Sequence, residues 1–224
     1  MRFPVVAFSI AVAFCGSTAP QARAQSSAQE RFMARCQERL SPREPNMAEI
    51  ACREIWPTVT ASNRMIDAFL PLFSGPAPRS PREIQQAMPS VAWRAVPEQG
   101  SVATGQLGDL TVSVSTDEPR EAAFSWSEIG AMIPYAPAEG LWTRGATVVE
   151  IGCYDFGLSE SNTVYRVEAS GYAPFALTVY RRQAPTGNAW SSLSASVRID
   201  RHVPTLAELR SREPDTEWKL GCPE

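Results

Sequence analysis

Residues 147–199 read TVVEIGCYDFGLSESNTVYRVEASGYAPFALTVYRRQAPTGNAWSSLSASVRI and contain four successive β-strand patterns. Runs rich in β-branched and aromatic residues occupy positions 147–156, 163–169, 175–182 and 192–199. The connections between these runs are five to nine residues long, which is short enough for antiparallel neighbours. In the last run, Leu193, Val197 and Ile199 alternate with polar residues, so one face of the sheet is expected to be wet. The stretch therefore predicts an antiparallel meander.

Further strands and short helices are predicted before and after this meander. The segments 91–96, 110–115 and 122–127 carry β-strand patterns as well. Capping sequences at 80–83 and 205–208 each predict the start of a short helix. Proline and glycine punctuate residues 134–145, and this stretch is predicted to be a loop.

The N-terminal part of the chain has helical periodicity instead. A capping box at 27–30 predicts a first helix, a second helix is expected from Asn46 to a stop at Pro57, and a third at 61–70. Prolines are concentrated in the stretch that follows. The predicted organisation is a helical region at 25–73, a Pro/Ser-rich connection at 74–82 and an α+β domain at 83–224.

The first 24 residues have the three-part pattern of a secretory signal peptide. Arg2 precedes an apolar run at 5–14, and Ala22-Arg23-Ala24 supplies small residues at the cleavage site. Cleavage after Ala24 is predicted, and with it a periplasmic or secreted protein. Acylation of Cys15 is the alternative, although bulky Phe14 precedes it. No membrane span is predicted, because a span needs about 20 apolar residues.

Four cysteines remain after this cleavage, and an even number in an exported protein predicts two disulfides. Cys36 lies close before the end of the first predicted helix and Cys52 close after the start of the second. In an antiparallel helical hairpin the two are at equal height. Cys36–Cys52 is therefore the favoured pair, which leaves Cys153–Cys222. No two cysteines have the spacing of a redox motif or of a zinc site.

Together these patterns predict an α+β fold. An N-terminal disulfide-linked helical hairpin plus a third helix is followed by a mostly antiparallel β-sheet with short helices.

Composition and motifs exclude several function classes. The chain carries 21 basic and 24 acidic side chains, and loss of residues 1–24 changes the formal charge from −3 to −5. Nucleic acid is not predicted as a partner, because its binding needs a dominant positive face.

The single histidine, His202, excludes metal or catalytic sites that need two histidines. The simpler interpretation of His202 is a surface histidine beside an acid. The sequence GLSES at 157–161 departs from a nucleophile elbow at its last position. No metal, cofactor or catalytic residue is predicted.

One cluster of carboxylates leaves an enzymatic alternative open. Its members surround the predicted hairpin at 147–169, and they are Glu150, Asp155, Glu160 and Glu168. Two carboxyl groups about 5–10 Å apart would suit a hydrolase acting on cell-envelope polymers. The simpler interpretation is a solvated face whose acids pair with Arg166 and Arg181.

Aromatic residues give the leading functional hypothesis. Tyr135 and Trp142 lie on the predicted loop, and Tyr154 and Tyr172 come from neighbouring hairpins. Aromatic side chains on a stiff loop suit stacking against a sugar, a peptide or a partner surface, although they could also seal the edge of the sheet. The sequence thus predicts an exported, soluble, non-catalytic module that binds an envelope protein or a small ligand. An exported enzyme inhibitor with a protruding loop is a further alternative, and the sequence does not identify the partner.

Overall fold

The computed structural model describes residues 19–42, 45–94, 101–117, 121–126, 136–155, 160–183 and 193–222. The helices are α1 (Ala19–Leu40), α2 (Ala48–Phe69), α3 (Pro81–Ala87), α4 (Ala136–Thr143) and α5 (Leu206–Arg212), and a 3-10 turn (Leu70–Phe73) follows α2. The strands are β1 (Ala92–Trp93), β2 (Val102–Leu107), β3 (Leu110–Ser115), β4 (Glu121–Trp126), β5 (Thr147–Asp155), β6 (Glu160–Glu168), β7 (Phe175–Gln183) and β8 (Leu193–Asp200).

The strands form one antiparallel sheet in the order β1-β2-β3-β4-β8-β7-β6-β5. The predicted meander is confirmed as β5–β8, and a second meander, β1–β4, joins it through the pairing of β4 with β8. Strand β2 was not predicted, because Gly105, a residue type depleted in strands, interrupts its pattern. A Cβ on Gly105 would lie only 2.6 Å from a Val91 methyl and 2.9 Å from the Ala92 oxygen, so close backbone approach explains this glycine.

The α+β fold class is confirmed, but the helix boundaries differ from expectation. Helix α2 continues through Pro57, so the predicted third helix at 61–70 is the second half of α2. A proline inside a helix costs about 3 kcal/mol or more. Beyond it, Val59 and Met65 are fully buried, and each such burial contributes about 1.5–3 kcal/mol. Tertiary packing therefore offsets the local penalty, and no break occurs at Pro57.

Helix α1 also differs at its start. It begins at Ala19, upstream of the capping box expected at 27–30, and it runs past the cleavage point expected after Ala24. The capping box is therefore an internal part of the helix in the uncleaved chain.

The predicted loop at 134–145 is wrong over Ala136–Thr143, where α4 forms. Pro137 lies in the first turn, where the missing N–H breaks no helical hydrogen bond. Seven of the eight residues are buried, and Gly140 lets the helix approach α2 closely: a Cβ there would lie 2.6 Å from the Ser62 hydroxyl. The Ser62 hydroxyl in turn donates to the Ala136 carbonyl at 3.2 Å. Local proline and glycine signals indicated a loop, but packing makes this stretch a helix.

One cluster of buried side chains contains residues from the helices and from one face of the sheet. At its centre, Phe69 of α2 contacts Phe73, Phe124 and Phe175, with ring centroids 6.4, 6.1 and 5.7 Å away. A smaller cluster lies on the other face of the sheet, because neighbours such as Val164 and Tyr165 belong to different clusters. The members of this outer cluster are Tyr154, Val164, Ala176, Leu209 and Trp218.

Both predicted disulfides are present. Cys36–Cys52 joins α1 to α2, and Cys153–Cys222 joins β5 to the C-terminal segment, with Cα atoms 5.9 and 6.0 Å apart. Within the described ranges, no helix has the length and apolar character that crossing a membrane requires. The division of the chain at 74–82 stays a prediction.

The close approach of α4 to α2 predicts a cost for Gly140→Ala. The added methyl meets the Ser62 hydroxyl and, at 2.8 Å, the Ile66 side chain. Overpacking lowers the free energy of unfolding by about 1–3 kcal/mol. The better helix propensity of alanine offsets about 1 kcal/mol of this loss. We expect urea unfolding to show a net loss of up to about 2 kcal/mol. Gly75→Ala is the control, because no atom lies within 4 Å of its added methyl; an equal loss in both variants would contradict the packing argument.

Candidate functional site

The structure distributes the predicted aromatic residues over different surroundings. Tyr135 lies outside the described residues. Trp142 is the one residue of α4 that is not buried. Tyr172 packs against the main cluster, whereas Tyr154 belongs to the outer cluster on the opposite face of the sheet. The sheet therefore separates Tyr154 from Tyr172.

Arginines of α1 line the contact with α4. Arg31, Arg35 and Arg39 are spaced four residues apart, which places them along one side of the helix. The Arg31 guanidinium donates a hydrogen bond to the Thr143 carbonyl at the end of α4.

Arg35 lies over the indole of Trp142, with its guanidinium carbon 4.5 Å from the ring centroid. A cation placed over the face of tryptophan is attracted by the electron density of the ring. The Arg35 side chain is 33% exposed, so solvent can reach this stacked pair. We call the surface of Arg35, Arg39 and Trp142 the α1–α4 face.

Behind this face lies the buried carboxylate of Glu139, with a side chain only 5% exposed. Arg39 approaches Glu139 Oε1 to 2.9 Å and Arg35 approaches it to 3.9 Å. A buried carboxylate needs cationic partners, because removing its charge from water is costly. The other oxygen, Oε2, has no hydrogen-bond partner in the described part of the chain. The ion pair fixes α1 and the arginines relative to α4.

Sequence reasoning did not find Glu139, Arg35 or Arg39. The spacing of the arginines was a usable signal, since side chains four residues apart share one side of a helix. Glu139 was overlooked because its surroundings were predicted to be a loop, where a carboxylate is ordinarily solvated.

The four carboxylates of the β5–β6 hairpin lie in different surroundings. Glu160 and Glu168 are the two ends of β6, eight residues and thus about 26 Å apart. Glu168 pairs with Arg166 at 2.7 Å, and Glu150 accepts a hydrogen bond from the Gly221 N–H at 2.7 Å. Asp155 pairs with Ser161 across the hairpin. Because Glu160 is the next residue along β6, the side chains of Asp155 and Glu160 point to opposite faces of the sheet. The side chain of Arg181 is outside the described residues.

His202 is exposed at the surface beside an acid. Its Nε2 lies 3.4 Å from Glu208 Oε1. The Thr205 N–H donates to Glu208, and this hydrogen bond holds the pKa of the carboxyl below its usual value. Glu208 belongs to the capping box of α5, so the carboxylate next to His202 has a structural role.

Tyr154 is held in the outer cluster by a specific set of contacts. Its hydroxyl donates to Glu160 Oε1 at 2.9 Å, and its ring meets Trp218 edge-on, with centroids 4.9 Å apart. Burial, and next the hydrogen bond to Glu160, raise the pKa of this phenol well above its ordinary value. Tyr154 is thus a neutral, packed residue.

No family model, curated protein or solved structure matches the chain significantly. Nor do the described ranges bring together three or more histidine, cysteine or acidic residues as a metal site.

The buried ion pair predicts unequal effects of removing its two partners. Arg39→Ala leaves the Glu139 carboxylate buried with a distant partner, whereas Glu139→Gln leaves arginines that are already a third exposed. We expect losses in the free energy of unfolding of about 2–3 kcal/mol and about 1 kcal/mol, respectively, in urea titrations.

Arg53→Ala is the matched control. It breaks the exposed pair between Arg53 and Glu49, which is worth less than about 0.5 kcal/mol. If Arg39→Ala cost no more than Arg53→Ala, the ion pair with Glu139 would have no role in holding α1 to α4.

The raised pKa of Tyr154 predicts an alkaline loss of stability. The folded chain favours the neutral phenol, so its stabilising contribution is complete below the unfolded pKa of about 10 and is lost as the pH rises further. We expect the stability advantage of the native chain over Tyr154→Phe to be constant between about pH 7 and 9 and to shrink above about pH 10. Denaturant titrations at each pH measure this advantage; a constant value up to about pH 11 would contradict the assignment.

Proposed function

We propose that this chain is an exported, disulfide-bonded, non-catalytic module that binds an envelope protein or a small ligand through the α1–α4 face. The two disulfides are compatible with an oxidising compartment. The sequence at 1–24 supports export, with cleavage after Ala24.

The observation that carries the proposal is the partial exposure of Trp142. Every other residue of α4 is buried, yet this large aromatic ring is held near the surface under Arg35. A tryptophan stacked with an arginine offers a flat apolar surface and N–H donors in one place. The pair suits a partner with a flat apolar group next to a carboxylate or carbonyl oxygen, as peptides and sugar acids have.

Contacts between α1 and α4 hold this face in a fixed arrangement, which suits it for recognition. The ion pair to Glu139 and the Arg31 hydrogen bond to Thr143 hold α1 against α4 before any partner arrives. A preorganised face loses less conformational entropy on binding than a loop does.

The two alternative functions lack a supporting observation in the described residues. Glu160 and Glu168 lie at opposite ends of β6, and the side chains of Asp155 and Glu160 alternate between the two faces of the sheet. The protruding loop of an inhibitor was expected at 133–142, and from Ala136 this stretch is a packed helix.

Export predicts a defined N-terminus. We expect intact-mass analysis of the envelope fraction to find a chain that begins at Gln25 and contains two disulfides, because Ala22 and Ala24 are the small residues before the cleavage site. A chain retaining residues 1–24 in the cytosolic fraction would contradict the proposal.

Binding through the α1–α4 face predicts position-specific crosslinking. A photoreactive phenylalanine analogue at position 142 is expected to give a discrete adduct in living cells, and this adduct should weaken at least about tenfold when Arg35→Ala is added. Position 102, where Val102 is 42% exposed on β2, is the control and should give no such adduct. Equal crosslinking at both positions, or none at 142, would contradict the proposed face.

A further inference from the structure

The two disulfides differ in their accessibility to thiols. Cys36 and Cys52 are 4% and 0% exposed, and both belong to the main cluster. Cys153 is 0% exposed as well, but its partner Cys222 is only half-buried. Thiol–disulfide exchange needs direct access to a sulfur atom. Of these four cysteines, Cys222 is the most exposed residue.

The Cys153–Cys222 disulfide holds the C-terminal segment (218–222) against the outer edge of β5. The Cys153 N–H donates to the Lys219 carbonyl at 2.8 Å, and the Lys219 N–H donates back at 2.9 Å. The Glu150 carboxylate accepts the Gly221 N–H. The segment thus adds a short antiparallel bridge to an edge strand that otherwise has no neighbour on that side in the described sheet.

Trp218 connects this segment to the outer cluster. Its side chain is 3% exposed, and its backbone oxygen accepts a hydrogen bond from Arg210 of α5 at 3.0 Å. Gly152 makes room for this packing, since a Cβ there would lie 2.8 Å from Leu206 of α5 and 3.5 Å from the Trp218 ring. Helix α5 and the segment therefore cover one aromatic and aliphatic patch of the sheet together.

The outer cluster is small compared with the main one. It consists of five buried residues and two partly buried ones, and it shares none of its buried members with the main cluster. Local opening of a protein occurs where few buried contacts hold a segment. Without its disulfide, residues 206–222 are held to the sheet by this small cluster, the two-hydrogen-bond bridge at Cys153 and the hydrogen bond from Gly221 to Glu150.

We propose that Cys153–Cys222 is a thiol-sensitive latch, whose reduction releases α5 and the C-terminal segment and uncovers the β5 edge and the outer cluster. A dithiol, either a protein with two neighbouring cysteines or a small molecule, is the reductant. Its thiolate attacks Cys222 Sγ, a mixed disulfide forms, and Cys153 leaves as a thiolate. The second thiolate of the reductant then displaces Cys222 and closes the reductant's own disulfide. The two protons of the dithiol end on Cys153 and Cys222.

The local geometry favours this direction of attack. The Cys222 N–H donates to Cys153 Sγ at 3.0 Å. A hydrogen-bond donor at the departing sulfur stabilises the thiolate that forms there. Attack at Cys222 therefore combines the more exposed cysteine with a leaving sulfur that already accepts a hydrogen bond.

Graded reduction with dithiothreitol tests the latch. The oxidised full-length protein is treated for increasing times, free thiols are alkylated, and peptide mapping gives the rate for each disulfide. We expect Cys153 and Cys222 to be alkylated at least about tenfold faster than Cys36 and Cys52. In the partially reduced species, amide exchange is expected to accelerate at least about tenfold in residues 206–222 and 151–155, while α2 keeps its protection.

A Cys222→Ser variant is the matched control, since it leaves Cys36–Cys52 intact and should show the fast exchange of residues 206–222 without any reductant. Equal reduction rates for both disulfides, or unchanged protection of residues 206–222 after selective reduction, would overturn the proposal. The rate comparison uses the native chain and stands even if the variant does not fold.

Discussion

The contact of Phe69 with the sheet is the interaction on which the rest of the structure depends. Phe69 ends α2 and meets Phe124 of β4 and Phe175 of β7, one strand from each meander. Because β4 and β7 flank β8 on its two sides, this single side chain packs across the junction of the two meanders. Helix α2 is fixed by this contact, and the other N-terminal helices are positioned relative to α2.

Two further contacts hold α1 and α4 against α2. Cys36–Cys52 ties α1 to it, and the approach of Gly140 to Ser62 fixes α4. With α1 and α4 both held, Glu139 is buried between them and needs the arginines of α1. Trp142, at the end of the same helix, then remains near the surface under Arg35. The proposed binding face is thus a consequence of how the helices pack.

The sequence was informative where local patterns and tertiary packing agree. Alternation in residues 147–199 predicted the meander, and the positions of Cys36 and Cys52 in adjacent helices predicted their disulfide. Prediction failed where packing outweighs a local signal: Pro57 does not stop α2, because buried side chains beyond it offset its cost. The residues of the α1–α4 face could not be assembled from the sequence, since Glu139 lies far from Arg35 and Arg39 in the chain and becomes their partner only through α4.

The central claim is that the helices and the sheet form one structural unit, because the α1–α4 face is rigid only if α2 is anchored in the sheet. Differential scanning calorimetry of the oxidised chain lacking residues 1–24 tests this most directly. We expect one transition whose calorimetric and van't Hoff enthalpies agree within about 10%. Two transitions, one assigned to the helical region by the loss of helical circular dichroism and one to the sheet, would contradict the claim.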